Sequence, residues 1–372
     1  MASKPDIPTK TPTTRYKCCA CYKQYKKKEH LVEHMIISYH SVHQPRCAVC
    51  QKHCKSFESL RAHLQGPLAK ANCSRVFSHL GCDLCLKVFD SPNSLIRHRE
   101  MCCLSTPSSF VTKISHCTEL QICMLGSNDN YIGGGVIGSN DNIGGDVKAI
   151  AIDCEMVGGG SDGTLNLCAR VCLVDEDENI IFHAYVQPQI PITDYRYEVT
   201  GLTEEHLRDA MPLKEVQNKI LEILYNGESV GKARLSGGKA RLLVGHSLDH
   251  DLDCLRMFYP DHLLRDTAKY RPLMKTNLFS HSLKYLTQTY LGYNIQTGIH
   301  DPYEDCVAVM RLYKRMRGQD HEVEQSGLRG ISGSFDSLKP KELESMTSDE
   351  LYDISRSNYK CWCLDSKANN LA

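Results

Sequence analysis

Hydrophobic periodicity concentrates in the middle of this chain. Between residues 148 and 318 it alternates between the two-residue period of strands and the 3.6-residue period of helices. Ala149–Met156, Leu167–Val174 and Ile180–Val186 are strand-like, and an acidic turn from Asp175 to Glu178 joins the last two. This predicts a three-stranded meander. Helical patterns follow over Glu204–Asp209 and Leu213–Tyr225, then a short strand at Leu242–Gly245 and helices opening near Leu248, Ser282 and Tyr303. Strands first and alternating elements afterwards predict an α/β domain, a mixed sheet with helices on both faces.

The flanks carry no such pattern. Residues 1–15 read as a disordered polar tail, and residues 16–105 hold clusters of Cys and His. Residues 106–147 are rich in Gly, Ser and Asn, with Gly126-Ser-Asn-Asp-Asn repeated from Gly138. Calcium-binding solenoids need at least three stacked repeats, so two copies predict a flexible linker. Residues 319–372 form a polar tail with one short helix, opened by Thr347 and Glu350 as a capping box.

With 372 residues the chain accommodates two or three domains. Its formal net charge of zero hides an asymmetry: residues 1–103 carry 17 Lys and Arg against 7 Asp and Glu, residues 148–318 carry 20 against 23. A basic front half predicts a polyanionic partner. Met1 to Lys17 has no apolar run resembling a signal segment, and no stretch reaches the roughly 18 apolar residues that span a bilayer. An intracellular protein without a membrane partner is expected, its thiols reduced. Of its 20 cysteines, 11 fall in the first 103 residues, and clustered Cys and His are read there as metal ligands.

Cys18-x2-Cys21-x12-His34-x5-His40 has the spacing of a tetrahedral zinc site, with Tyr25 and Leu31 as the core of a ββα finger. Cys82-x2-Cys85-x12-His98 repeats it with Phe89 and Leu95, and Ser91-Pro92 opens its helix. Cys102 is its fourth ligand, with Cys103 as the other candidate. A middle copy, Cys47-x2-Cys50-x12-His63, has Leu60 in place but Cys54 where an aromatic is expected. Its fourth ligand must be distant, and Cys73 is chosen over the spare His43 and His53. Two to three structural zinc ions are therefore expected. Zinc folds units this small, contributing roughly 10–16 kcal/mol in isolated fingers. Lys23, Lys26, Lys27 and Lys28 suit phosphate contact or form a solvated face. The short linker of tandem duplex-reading arrays is missing between the fingers. Cys361-x-Cys363 is too tightly spaced for a good zinc pair and is read as incidental.

The first strand reads Ala-Ile-Asp153-Cys-Glu155-Met, placing two acids on one face. Unpartnered, they would be prohibitively costly to ionise inside a sheet, and a divalent cation is the natural partner. In Val244-Gly-His-Ser-Leu-Asp249-His-Asp251-Leu-Asp253-Cys-Leu255, Leu248, Leu252 and Leu255 form a buried helical stripe with Asp251 at its edge. Asp249 and Asp253 lie on the solvent side, Asp253 within reach of Arg256. In His300-Asp-Pro-Tyr-Glu-Asp305, Pro302 opens a helix on which Asp305 heads the stripe Ala308, Val309, Leu312 and Met316. His300 sits in the preceding loop, five residues from that acid.

Four inward acids from three segments fit two magnesium or manganese ions, about 3.5–4 Å apart, clamping a phosphodiester. Neutral His300 suits proton removal from the attacking water.

These segments resemble the DEDDh branch of the DnaQ-like exonucleases, specifically the RNA exonuclease 4 and interferon-stimulated exonuclease group. AIDCEMVG, VGHSLDHDLDCL and HDPYEDCVAVMRLY are similar to its three motifs; DYRYEVTGLTEEHL, RDTAKYRPL and SLKYLTQTYLG support them. The resemblance covers residues 148–317. It implies a ribonuclease H-like fold and release of nucleoside 5′-monophosphates from a 3′ end. It also implies Asp153, Glu155, Asp251 and Asp305 as metal ligands and His300 as base. RNA, including ribosomal RNA precursors, is the expected substrate, and nuclear residence, the nucleolus included, follows from the resemblance and the lysine run. Two rivals stand beside this reading: a DNA exonuclease of the same fold, and a nucleic-acid-binding adaptor with an inactive nuclease domain. The glycine-rich basic insertion Gly227–Lys239 departs from the family pattern and reads as a surface excursion.

Overall fold

The computed structural model describes residues 15–19, 23–38, 45–107, 149–229, 238–319, 338–355 and 361–366. Nearly all of the expected disordered tail and of the expected flexible linker lies outside these residues, as do Cys21, His40 and His43. The chain divides into two compact units, Met1–Arg75 with His321–Cys361, and Val76–Asp320 with Trp362–Ala372.

In the first unit, strands β1 (Tyr16–Lys17) and β2 (Gln24–Tyr25) pair antiparallel ahead of helix α1 (Lys28–Ser38), the expected ββα order. Helix α2 (Phe57–Gln65) follows, opened by Ser56, whose hydroxyl accepts the Ser59 amide. The unit also contains the start of α3 (Ala71–Leu80). Cys18, Leu31, Val32 and Met35 pack against Leu343 and Leu351 of the tail. The tail forms two helices rather than one, Pro340–Ser345 and Ser348–Ser355. The second opens on the expected box: the Thr347 amide donates to Glu350 Oε2 at 2.7 Å, and the Glu350 amide to Thr347 Oγ1 at 3.2 Å.

The second unit takes in the rest of α3 and then helix α4 (Pro92–Cys102), capped by Ser91. Its main sheet follows. Strands β3 (Ala149–Gly159), β4 (Leu165–Val174) and β5 (Ile180–Gln187) form the predicted antiparallel meander. Strands β6 (Ile192–Asp194), β7 (Met211–Pro212), β8 (Leu242–Gly245) and β9 (Leu264–Asp266) complete it. The order is β7-β5-β4-β3-β8-β9, with β6 also paired to β3; β8 runs parallel to β3, and β9 to β8. An antiparallel meander extended by parallel strands gives the ribonuclease H-like mixed sheet.

Helices α5 (Tyr197–Thr200), α6 (Leu213–Tyr225), α7 (Leu248–Cys254), α8 (Leu283–Tyr290) and α9 (Pro302–Arg317) surround the sheet. The expected helix Glu204–Asp209 is a single 3-10 turn, Glu204–Leu207. Leu213, Val216, Ile220 and Leu224 of α6 join Ile150, Ile152, Phe182 and Leu248 in one apolar core. Helix α9 packs on β3 and β4 and is buried on nearly every side, beyond the single stripe its period suggested.

The segment around α4 is fastened to the α/β body within this unit. The Leu104 amide donates to the Leu291 carbonyl at 3.0 Å, Arg315 to the Cys102 carbonyl at 2.5 Å and Arg311 to that of Ser105 at 2.7 Å. Gly292, at φ 91°, permits the approach: a Cβ there would lie 2.8 Å from Cys103 Sγ. The last described tail residues also belong here. Trp362 stacks on Tyr270 at 3.9 Å, and Asp365 takes a two-pronged bond from Arg265 at 2.6 and 2.7 Å. The pair Cys361 and Cys363, expected to be incidental, is buried and flanks that tryptophan.

Candidate active site and metal centres

Strand pairing leaves a gap where the acids sit. Beside β3, β8 pairs only as far as Ala151, and β6 begins at Gly158. The backbone between them has an open edge, and α7 fills part of it: the Cys154 amide donates to Asp251 Oδ1 at 3.1 Å. Gly245 brings α7 close, since a Cβ there would lie 2.3 Å from Leu248 Cδ2. Asp266 caps the turn, accepting the amides of Ser247 at 2.8 Å, Leu248 at 3.2 Å and Ala268 at 2.9 Å. Asp251 thus points inward as its position on the stripe predicted. Asp249 is exposed and pairs with Lys269. Asp253 is exposed too, but Arg256 reaches Gln189 at 3.2 Å instead of Asp253.

Asp153 and Glu155 share the other face of β3 from Ile152 and Cys154, which belong to the apolar core. Glu155, Asp251 and Asp305 are each 5% exposed or less. Asp305 Oδ2 accepts Gln296 Nε2 at 2.7 Å, while its buried Oδ1 has no hydrogen-bond partner among the described residues.

The acids also act on one another electrostatically. Burial raises the Asp153 carboxyl well above its ordinary value, and the charges of Asp305, Asp251 and Glu155 raise it further. Glu155 is pushed up to about 8, first by burial and then by Asp305, with Arg170 opposing. Asp305 rises to about 7, chiefly through burial, against the Gln296 bond. Asp251 is raised strongly by burial. Four carboxyls held this way resist ionisation unless a cation joins them. An all-oxygen donor set with an orphaned carboxylate oxygen fits hard divalent ions such as magnesium or manganese.

His300 lies in the loop before α9, its amide donating to the Val199 carbonyl at 2.7 Å. Burial, with Lys284 nearby, lowers its pKa below 6.5 and favours the neutral ring. The ring forms no hydrogen bond with a described residue. It therefore stands beside the acids in sequence without being tied to them.

Sequence reasoning missed the supporting polar groups. Arg170 is opposite Glu155 in the β3–β4 register, held by His183 Nε2 at 2.9 Å and by Asp301 at 3.7 Å. An arginine inside the apolar run of β4 was the available signal. Gln296 left none, because its placement depends on a left-handed backbone, φ 53°.

The cysteine clusters divide by unit. Cys47, Cys50, His63 and Cys73 bring their ligand atoms within 4.8 Å of one another, as do Cys82, Cys85, His98 and Cys102. Three thiols with one imidazole is a donor set that fits tetrahedral zinc. Cys73 arrives from α3, and Cys102 rather than exposed Cys103 joins the third set. In the first finger Cys18 is buried and the His34 ring lies 5.2 Å from that of Tyr25, while its other two ligands lie outside the described residues. Lys28, expected on phosphate with its neighbours, donates to the Met346 carbonyl, whereas Lys23, Lys26 and Lys27 remain exposed. Of the insertion Gly227–Lys239, residues 230–237 lie outside the described set; its base is closed by the Ala240 amide on Glu228 at 2.8 Å.

The chain is similar to known exonucleases. The Exonuclease family model (RNase_T) matches residues 150–313, a span containing all four acids and His300. The chain is 38% identical over 172 residues to RNA exonuclease 4 of Homo sapiens, covering 46% of this chain and 37% of that protein. It is 34% identical over 181 residues to RNA exonuclease 4 of Saccharomyces cerevisiae, covering 48% and 58%. The matches thus span less than two thirds of either relative. Among solved structures, the Neurospora crassa Pan2 catalytic unit (protease and nuclease domain) aligns at 21% identity with a TM-score of 0.40, covering 53% of this chain and 32% of that one.

Proposed function

We propose that residues 148–318 form a metal-dependent 3′→5′ exonuclease that hydrolyses RNA to nucleoside 5′-monophosphates. The observation that carries this reading is that Glu155, Asp251 and Asp305 are buried and all raise the Asp153 carboxyl, while buried Asp305 Oδ1 has no hydrogen-bond partner among the described residues. Similarity to proteins named RNA exonuclease 4 supports RNA over DNA.

Asp153, Glu155, Asp251 and Asp305 would hold two divalent ions, which supply Lewis-acid stabilisation of the phosphoryl group and an acidified water. Arg170 orients Glu155 from the neighbouring strand, and Gln296 fixes Asp305. His300 accepts the proton of the attacking water at an imidazole nitrogen, a role its lowered pKa suits at neutral pH. The leaving 3′-oxygen of the shortened chain is protonated from solvent.

The Cys/His sets would hold structural zinc, and the basic front half would retain nucleic acid. Nuclear residence, the nucleolus included, completes the proposal. The test incubates 3′-labelled RNA and matching DNA with the protein in magnesium, beside Asp153→Ala. Monophosphate release from RNA by the unaltered protein alone is expected. Equal release by the variant contradicts the assignment, and preference for DNA favours the rival substrate.

A further inference from the structure

Behind the acids lies a second convergence that the nuclease reading does not use. Cys154 sits on β3 between Asp153 and Glu155 but belongs to the opposite, apolar face; Cys168 is on β4, and Cys254 ends α7. Their sulfurs all lie within 4.8 Å of one another. A buried cysteine ordinarily packs as a small apolar side chain. Three sulfurs converging from three elements form a donor set whose atoms lie within the same 4.8 Å as those of the two Cys/His sets. A zinc–sulfur bond of about 2.3 Å places tetrahedral sulfurs about 3.8 Å apart, so closure requires at most about 1 Å.

The choice of ion follows from chemistry. Thiolates select a thiophilic ion over magnesium or manganese. Three thiolates leave one net negative charge with a divalent ion but two with a monovalent one, and burial beside Asp251 favours the smaller charge. Cys168 and Cys254 also line a cleft with Gln187, Gln189, Asp253 and Arg256, which gives an entry path and room for a water ligand.

We propose that Cys154, Cys168 and Cys254 form a trithiolate site for a divalent thiophilic ion of the zinc class, completed by water from the cleft. Binding releases the thiol protons and ties together β3, β4 and α7. Its effect reaches Asp251, because loss of the thiol proton removes the bond that Cys254 Sγ donates to the Asp251 carbonyl at 3.2 Å, while the Cys154 amide donates to the Asp251 carboxylate. The site is separate from the fingers and does not depend on the proposed activity.

Metal analysis of full-length protein reconstituted with zinc tests this, comparing the unaltered chain with Cys168→Ser and Cys254→Ser. Each variant should carry one zinc fewer per chain. Equal zinc content in all three overturns the proposal. Should a serine variant fail to fold, cadmium-113 NMR of the cadmium-loaded unaltered protein reads the same point. A resonance from three-sulfur, one-oxygen coordination is expected beside the histidine-containing finger signals; finger signals alone overturn it.

Discussion

Gln296 donates its side-chain amide to Asp305 Oδ2 at 2.7 Å, while the buried Oδ1 has no hydrogen-bond partner among the described residues. Groups that orient a metal ligand commonly contribute roughly 10–100-fold to metal affinity. Gln296→Leu should therefore raise the magnesium concentration for half-maximal RNA hydrolysis by about that factor, with the rate largely recovered at saturation. A magnesium titration of the variant checks this. An unchanged midpoint would show that Asp305 needs no such support.

His300→Ala should lower kcat by about 10²–10⁴-fold, the usual contribution of a general base. In the unaltered enzyme kcat should fall as pH drops below 6.5, because burial and Lys284 hold the imidazole's pKa under that value. The acid limb should vanish in the variant. Rate–pH profiles at saturating magnesium measure both.

Metal-free stability should depend on pH through the raised acids, Glu155 among them. The folded pKa of Glu155 is raised from 4.5 to about 8, so between those values the folded state holds a proton that the unfolded chain releases. The unfolded state binds fewer protons, and stability falls as pH rises through the window. Buried His183, lowered to about 3, acts in the opposite sense, but its contribution is complete above its ordinary value of 6.5. The melting temperature, measured from pH 7 to 8 without magnesium and with zinc retained, should therefore decline. Glu155→Gln should flatten the slope, and saturating manganese should remove it. A decline unaltered by Glu155→Gln would contradict the assignment.

The tail should contribute to stability. Arg265 and Asp365 are both nearly inaccessible and bonded at two points, so Asp365→Ala leaves a buried guanidinium without its carboxylate. Breaking such a pair costs about 3–5 kcal/mol. Urea unfolding should show a loss of that size, while truncation after helix α9 should be at least as damaging. A loss under about 1 kcal/mol, the range of a surface pair, would mean the pair is solvated.

Much of this was legible in the chain, and what was hidden has physical reasons. The long strands and α6 announce themselves because each repeats its period several times. Strands β6, β7 and β9 are two or three residues long, too short to carry one. Asp251 was separable from Asp249 and Asp253 because helical geometry fixes which side faces Leu248 and Leu252. Cys73 and Cys102 were reachable from ligand spacing. Gln296, Asp266 and Arg170 support the site through contacts between segments distant in sequence, which no local pattern encodes. The same holds for Trp362 and Asp365: a polar tail gave no sign that it returns to Tyr270 and Arg265.

The most direct test of the central claim is anomalous diffraction from crystals grown with manganese. Two peaks are predicted, bounded by the carboxylates of Asp153, Glu155, Asp251 and Asp305, with metal–oxygen distances near the roughly 2.0–2.6 Å of hard divalent ions. Manganese bound elsewhere, or these four carboxylates left without it at saturating concentration, would contradict the account.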